Sequence, residues 1–381
     1  MSKIEQRRAK TAKANIENKA VLADGAAPKS EFPYKKILIA VLVVVAVVAC
    51  ALLILNAVVD NYSNKFRTEG AVSVENATAD MKNLKDDDVL YNKNLVNAEL
   101  AKYNFLVAAV NNAYVNYTKQ SNNVMSNENI LNFVVTVSGD VYGEDSNNKL
   151  ATVMLVSINN GKITFVRMNS SVFVAIPTLG AGPLYDAYRF GGAALVAKTV
   201  QENYGVKVNG YVDVPVDAFM KAALLFDADG AIELTADGKT GVYTDVNSMF
   251  EFIKNSDDKD ALVQSVIASV ANSFASQKLL DLRKLVDDKE NAPAPFGAKS
   301  GVVSYIANED FAALLKMGTS ALASDNFKAS ESVITVGFGD EVKAVDYNGA
   351  AGEKYFGTTT LVDYQASVTK LQTVLGYVDA E

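Results

Sequence analysis

The chain has 381 residues, 49% of them hydrophobic, and its 36 basic and 44 acidic residues leave a net charge of −8. It contains no His and no Trp, which excludes His-ligated metal centres and any Ser-His or Cys-His dyad. Cys50 is the single cysteine, so an intramolecular disulfide is excluded as well.

Residues 1–36 carry nine Lys or Arg against four acids, a net of +5, and have few large apolar side chains. They read as a disordered or loosely helical basic tail. Ile37 to Val59 follows, 23 residues without a charge, with Asn56 near its far end. At 1.5 Å per residue this run spans a hydrocarbon core of about 30 Å with some tilt. It is too long for a signal-peptide core and no small-residue cleavage pattern closes it, so it reads as a retained transmembrane helix. Cys50 lies inside it, as a small apolar side chain facing lipid or as a palmitoylation site. The rest of the chain carries 27 basic and 40 acidic residues, a net of −13. The basic flank therefore stays in the cytoplasm and the acidic remainder lies outside. An acidic ectodomain argues against nucleic acid as a partner.

Residues 60–128 read as a stalk followed by an accessory helix. Asn94 to Tyr117 is amphipathic, with Val96, Leu100, Tyr103, Val107, Val110, Tyr114 and Tyr117 at spacings of three and four. Its apolar face suits packing on the main domain or a position along the membrane. The remaining residues, 129–381, read as one α/β domain. Strands are expected at 130–137, 152–158 and 162–168, with a further one at 172–176. Asn159-Asn160-Gly161 marks a hairpin. Beyond Pro177 the period turns helical: helices at 191–204, 216–226, 247–254 and 258–285, one capped by Asn308, and a last one at 359–375. Strands are interleaved at 210–214, 231–234, 333–336 and 341–346. The fold class is α/β: a single extracellular domain with a central mixed sheet flanked by helices on both faces, behind one N-terminal transmembrane helix.

The order of these elements resembles the LytR-CpsA-Psr family of bacterial envelope proteins. Four stretches carry the resemblance: FVVTVSGD at 133–140, TVMLVSINNGKITFV at 152–166, AYRFGGA at 187–193 and VAKTVQENYGVKVNGYVDVPVDAFMKAA at 196–223. It implies a single-pass protein of the bacterial plasma membrane that moves a glycopolymer from a polyprenyl-pyrophosphate carrier to peptidoglycan. That chemistry uses arginines on the pyrophosphate, acidic residues on a Mg²⁺ ion and an apolar tunnel for the lipid.

The charged positions of that pattern are mostly empty of charge here. The first metal-binding Asp falls on Asp140. The second falls on Ala151, with Lys149 in place of an Arg. A Pro-Arg-Asp stretch falls on Asn169, Ser170 and Ser171, a Lys falls near Pro183, and a late Arg-Gln-Gln falls on Leu262, Val263 and Gln264. Arg189, Lys149 and Lys254 are the remaining candidates for catalysis, and Asp140 for a metal. Mg²⁺ is implied if the family activity is retained. The lining of a lipid pocket is expected from Leu195, Val196, Val200, Phe219, Phe226, Val266, Ile267 and Val270. Three functions follow from this pattern: a catalytically impaired envelope protein that binds or scaffolds, with a polyprenyl-linked glycopolymer or peptidoglycan as partner; an active transferase with displaced residues; or a membrane-anchored interaction domain with no lipid ligand.

Overall fold

The computed structural model describes residues 67–84, 104–140, 148–159, 162–226, 231–236, 238–256, 262, 300–307, 309–310, 312–313, 335–337 and 359–378. The uncharged run 37–59, the expected helix 258–285 apart from Leu262, and the strand at 341–346 lie outside these residues. No helix among the described residues is long and apolar enough to cross a membrane.

The sheet grows from two nearly continuous apolar runs. ILNFVVTVS forms β1 (Ile130–Ser138) and LATVMLVSIN forms β2 (Leu150–Asn159). Nearly every residue of both is buried, so both faces of these strands are covered. Apolar residues at every position rather than every second one are what such a strand requires. β1 and β2 pair antiparallel, Ile130 opposite Asn159, with a bulge between Val137 and Ser138. β3 (Lys162–Met168) returns along β2. The chain then forms a small hairpin of β4 (Phe173–Ile176) and β5 (Gly180–Pro183), followed by α2 (Leu184–Tyr204), α1 being the earlier helix Asn104–Ser121. β6 (Gly210–Pro215) lies parallel to β1. β7 (Ile232–Ala236) and β8 (Lys239–Tyr243) make a separate hairpin. β9 (Val303–Ile306) and β10 (Thr335–Gly337) close the sheet at its two ends. Its order is β10-β3-β2-β1-β6-β9, with parallel β1–β6 and β3–β10 pairs among antiparallel ones. The mixed sheet expected from the sequence is present. Further helices among the described residues are α3 (Val216–Phe226), α4 (Val246–Lys254) and α5 (Tyr364–Leu375).

α2 supplies much of the core. Leu195, Val196 and Val200 are fully buried against Val134, Leu155 and Val166 of the sheet and Leu371 of α5. Each such side chain contributes about 1.5–3 kcal/mol by leaving water. The sequence places the start of this helix at Gly191, but the helix begins at Leu184. Gly191 and Gly192 instead kink it, Gly192 standing at φ 60°, ψ −163°. Only glycine holds that conformation without strain. α1 packs through Val110 and Ala113 on Phe173, Ala175 and Ala181 of the small hairpin.

Residues 67–84 fall in the stretch read as a stalk, yet they run across the domain as a strap. Val74 and Ala77 enter the main core, each 2% exposed. Lys198 of α2 donates to the carbonyls of Glu75 and Ala77 at 2.9 and 3.0 Å. The Tyr211 hydroxyl donates to Val72 O at 2.9 Å, and Asp80 N donates to Phe190 O. At the near end the Arg67 guanidinium lies 4.5 Å over the Tyr305 ring.

Candidate functional site

Asp140, Lys149, Ala151 and Asn169 to Ser171, on which the resemblance puts most of the expected charges, lie where β1 ends, β2 begins and β3 leads into the small hairpin. The bulge after Val137 turns β1 into Gly139, whose N–H donates to Lys149 O at 2.9 Å. That closure sets Asp140 beside Lys149, and the ammonium donates to the Asp140 carboxylate. Both side chains are partly exposed, 47% for Asp140 and 30% for Lys149, so the pair is screened by solvent and contributes at most about 1 kcal/mol.

Around this pair the site is neutral. Ala151 is buried in β2, 5% exposed. Asn169 Oδ1 accepts from Ser171 N at 2.9 Å, forming an Asx turn, and its amide reaches Thr360 Oγ1 at 3.4 Å. Asn148 Nδ2 approaches Ser170 Oγ at 3.5 Å. The backbone of the same turn is spent on its neighbours. Thr360 N donates to Ser171 O, Tyr185 N to Ser170 O and Leu184 N to Val172 O. The last two are first-turn N–H groups of α2. A helix N-terminus attracts anions through such groups, and here carbonyls already hold two of them. Asp186 is buried in the same turn.

The other expected site residues are dispersed over the fold. Arg189 is half-buried on the first segment of α2, its guanidinium 4.9 Å over the Phe190 ring. Lys254 ends α4 with its ammonium 4.9 Å over the Phe250 ring. Pro183 ends β5 and Leu262 is fully buried. Leu195, Val196 and Val200 belong to the closed main core, and Phe219 is buried on α3. The side chain of Phe226 and residues 263–264, 266, 267 and 270 lie outside the described residues.

The described residues do not fit a Mg²⁺ ion. The ion takes two or more hard oxygen ligands. Asp140 is matched with an ammonium, and the position where the resemblance implies a second carboxylate is Ala151. Among the described residues no cluster of three Asp, Glu, His or Cys is placed to hold a metal.

One acidic residue that sequence reasoning passed over stands near this rim. Asp213, in the middle of β6, accepts from Thr136 Oγ1 at 2.7 Å and from the Tyr188 hydroxyl at 2.8 Å. Burial raises its carboxyl above the ordinary range, and the hydroxyls of Thr136, Tyr188 and Ser138 pull it partly back. Burial and the Asp213 charge in turn raise the Tyr188 phenol. The one signal for it in the sequence was an acid inside the apolar strand GYVDVP.

Residues 100–250 match the model of the LytR_cpsA_psr family. No curated protein matches the chain by sequence. Among solved structures, Bacillus subtilis TagT is 16% identical, with a TM-score of 0.40, over 66% of this chain and 94% of its own. TagT has also been solved bound to LI-WTA and to LIIa-WTA. The gbs0355 protein of Streptococcus agalactiae is 13% identical, with a TM-score of 0.44, over 67% of this chain and 90% of its own. A ywtF protein of Bacillus subtilis is 16% identical, with a TM-score of 0.42, over 68% and 96%. Likenesses this distant leave the chemistry of the site to its own residues. The family match spans α1, the β1–β3 strands, the kinked α2 and β6, the elements that build the site, so over residues 100–250 the chain is similar to the LytR-CpsA-Psr family.

Proposed function

We propose that this chain is a membrane-anchored envelope protein that keeps the LytR-CpsA-Psr scaffold but not its transfer chemistry, and that it binds or scaffolds a glycopolymer in cell-wall assembly. The observation that carries this reading is the joint neutrality of the site. Ala151 and Leu262 are buried, Asn169, Ser170 and Ser171 are engaged in neutral hydrogen bonds, and Lys149 is matched with Asp140. Transfer of a phosphoryl-linked group depends almost wholly on positioned positive charge and metal, so such a site is slower by orders of magnitude. The uncharged run 37–59 with its basic flank supports a single span with the amino terminus in the cytoplasm. The WTA ligands of TagT support a glycopolymer as the partner class.

The test is turnover by the purified full-length chain, with and without Mg²⁺, on a polyprenyl-pyrophosphate-linked glycopolymer. The expected result is no pyrophosphate cleavage or transfer above background, with the glycopolymer still bound. Mg²⁺-dependent turnover abolished by Asp140→Ala and Arg189→Ala would instead make it an active transferase.

A further inference from the structure

A cavity of about 350 Å³ lies between the strap and the kink of α2, at the small end of the range of ligand sites. Its walls leave room because they are built from small residues, the strap at Gly70–Ala71 and α2 at Gly191 through Ala194. Tyr211 contributes an aromatic ring, held in place by the bond from its hydroxyl to Val72 O. Asn76 and Thr78 bring polar groups from the strap.

Asp213 also lines this cavity, and among the described lining residues it is the one charged side chain. Its hydrogen-bond partners are hydroxyls, which stabilise a carboxylate without neutralising it. A buried carboxylate ordinarily stands beside a cation. The lysine that α2 aims at the strap, Lys198, is engaged by the carbonyls of Glu75 and Ala77. The arrangement is therefore a negative charge and an aromatic ring facing a small space, a combination that suits a cation and repels an anion.

We propose that the cavity between the strap and the α2 kink binds a small hydroxyl-bearing primary amine, with Asp213 as the counter-ion of its ammonium group. The site is distinct from the neutral rim around Asp140, and the proposal holds whether or not the domain transfers glycopolymer. Asp213 takes the ammonium, the Tyr211 ring covers it, and Asn76 and Thr78 meet the hydroxyls.

The probe is glucosamine, titrated calorimetrically into the full-length chain in detergent micelles, with N-acetylglucosamine as the uncharged comparison. Saturable binding of glucosamine is expected, weaker by at least about tenfold for the capped sugar, since a charge-assisted bond is lost. Asp213→Asn keeps the shape of the side chain and should cost a similar factor. Ala194→Leu leaves Asp213 in place but fills the space, and should abolish binding. No saturable glucosamine binding, or equal binding of the two sugars, overturns the proposal. That comparison uses the unaltered chain, so it decides the matter even where a variant misfolds.

Discussion

The Tyr188 hydroxyl of α2 donates to Asp213 of β6 across 2.8 Å, while Thr136 of β1 donates to the other carboxylate oxygen. One side chain thus joins the first segment of α2 to the two parallel strands at the centre of the sheet. Tyr188→Phe removes one of the three hydroxyl donors that serve this buried carboxylate. We expect a loss of about 1–3 kcal/mol in denaturant unfolding. A change within error would show that water takes over the bond.

The same carboxyl should write itself into the pH dependence of stability. Burial raises Asp213 in the folded chain above its ordinary value of 3.8. Between the two values the folded state holds more protons than the unfolded state, so stability falls as pH rises through that window. The contribution is complete below the ordinary value and is lost through the raised one. Asp213→Asn abolishes this slope. Compared at a series of pH values from about 3 to about 8, the variant should gain on the native chain as pH rises. A constant difference would contradict the raised carboxyl.

Gly192 offers a test of the kink. A Cβ added there meets no atom within 4 Å, so Gly192→Ala is not opposed by packing. Its φ of 60° and ψ of −163° are nonetheless closed to other residues. The expected cost is about 1–3 kcal/mol of backbone strain, read as a lowered unfolding midpoint. A neutral Gly192→Ala would mean that the kink straightens.

The strap is held mainly by hydrogen bonds at a partly exposed surface and by two buried side chains, so it should open below the global unfolding free energy. Lys198→Met removes the donor to Glu75 O and Ala77 O while keeping the apolar stem. Amide hydrogen exchange across residues 71–80 should quicken, with the β1–β2 core unchanged. Equal acceleration in both would show that strap and core open together.

Topology can be read by thiol labelling in intact cells, in a Cys50→Ser background. A cysteine at Ser2 is expected to resist an impermeant reagent and one at Asn291 to react. The opposite pattern would reverse the membrane orientation we propose.

The parts of the fold legible in the sequence were those with a dense apolar signal. β2 and β3 stand where their apolar patterning and the Asn-Asn-Gly turn put them, because a short apolar run such as Val153 to Val156 followed closely by a turn has few alternatives. β5 was not legible: Gly-Ala-Gly-Pro carries no strand former, and it pairs with β4 only because the turn at Thr178 and Leu179 brings it there. The early start of α2 was hidden by its glycines, which read as a boundary and serve as a kink. The strap was hidden too. Val74 and Ala77 are two small apolar residues in a polar stretch, with no period, and only tertiary contact shows that they are core. At the rim, the loss of charge was legible residue by residue, but the capping of α2 by Ser170 and Val172 carbonyls was not, since backbone acceptors leave no trace in side-chain identity.

The strap also sets how far the domain can travel. Counted from the proposed membrane exit at Val59, residues 60–66 separate the bilayer from Arg67, where packing on the domain begins. Seven residues reach about 25 Å at full extension. If the proposed anchor holds, the face bearing Tyr305 and the strap would stay within that distance of the lipid surface, and whatever it handles would have to come to it there.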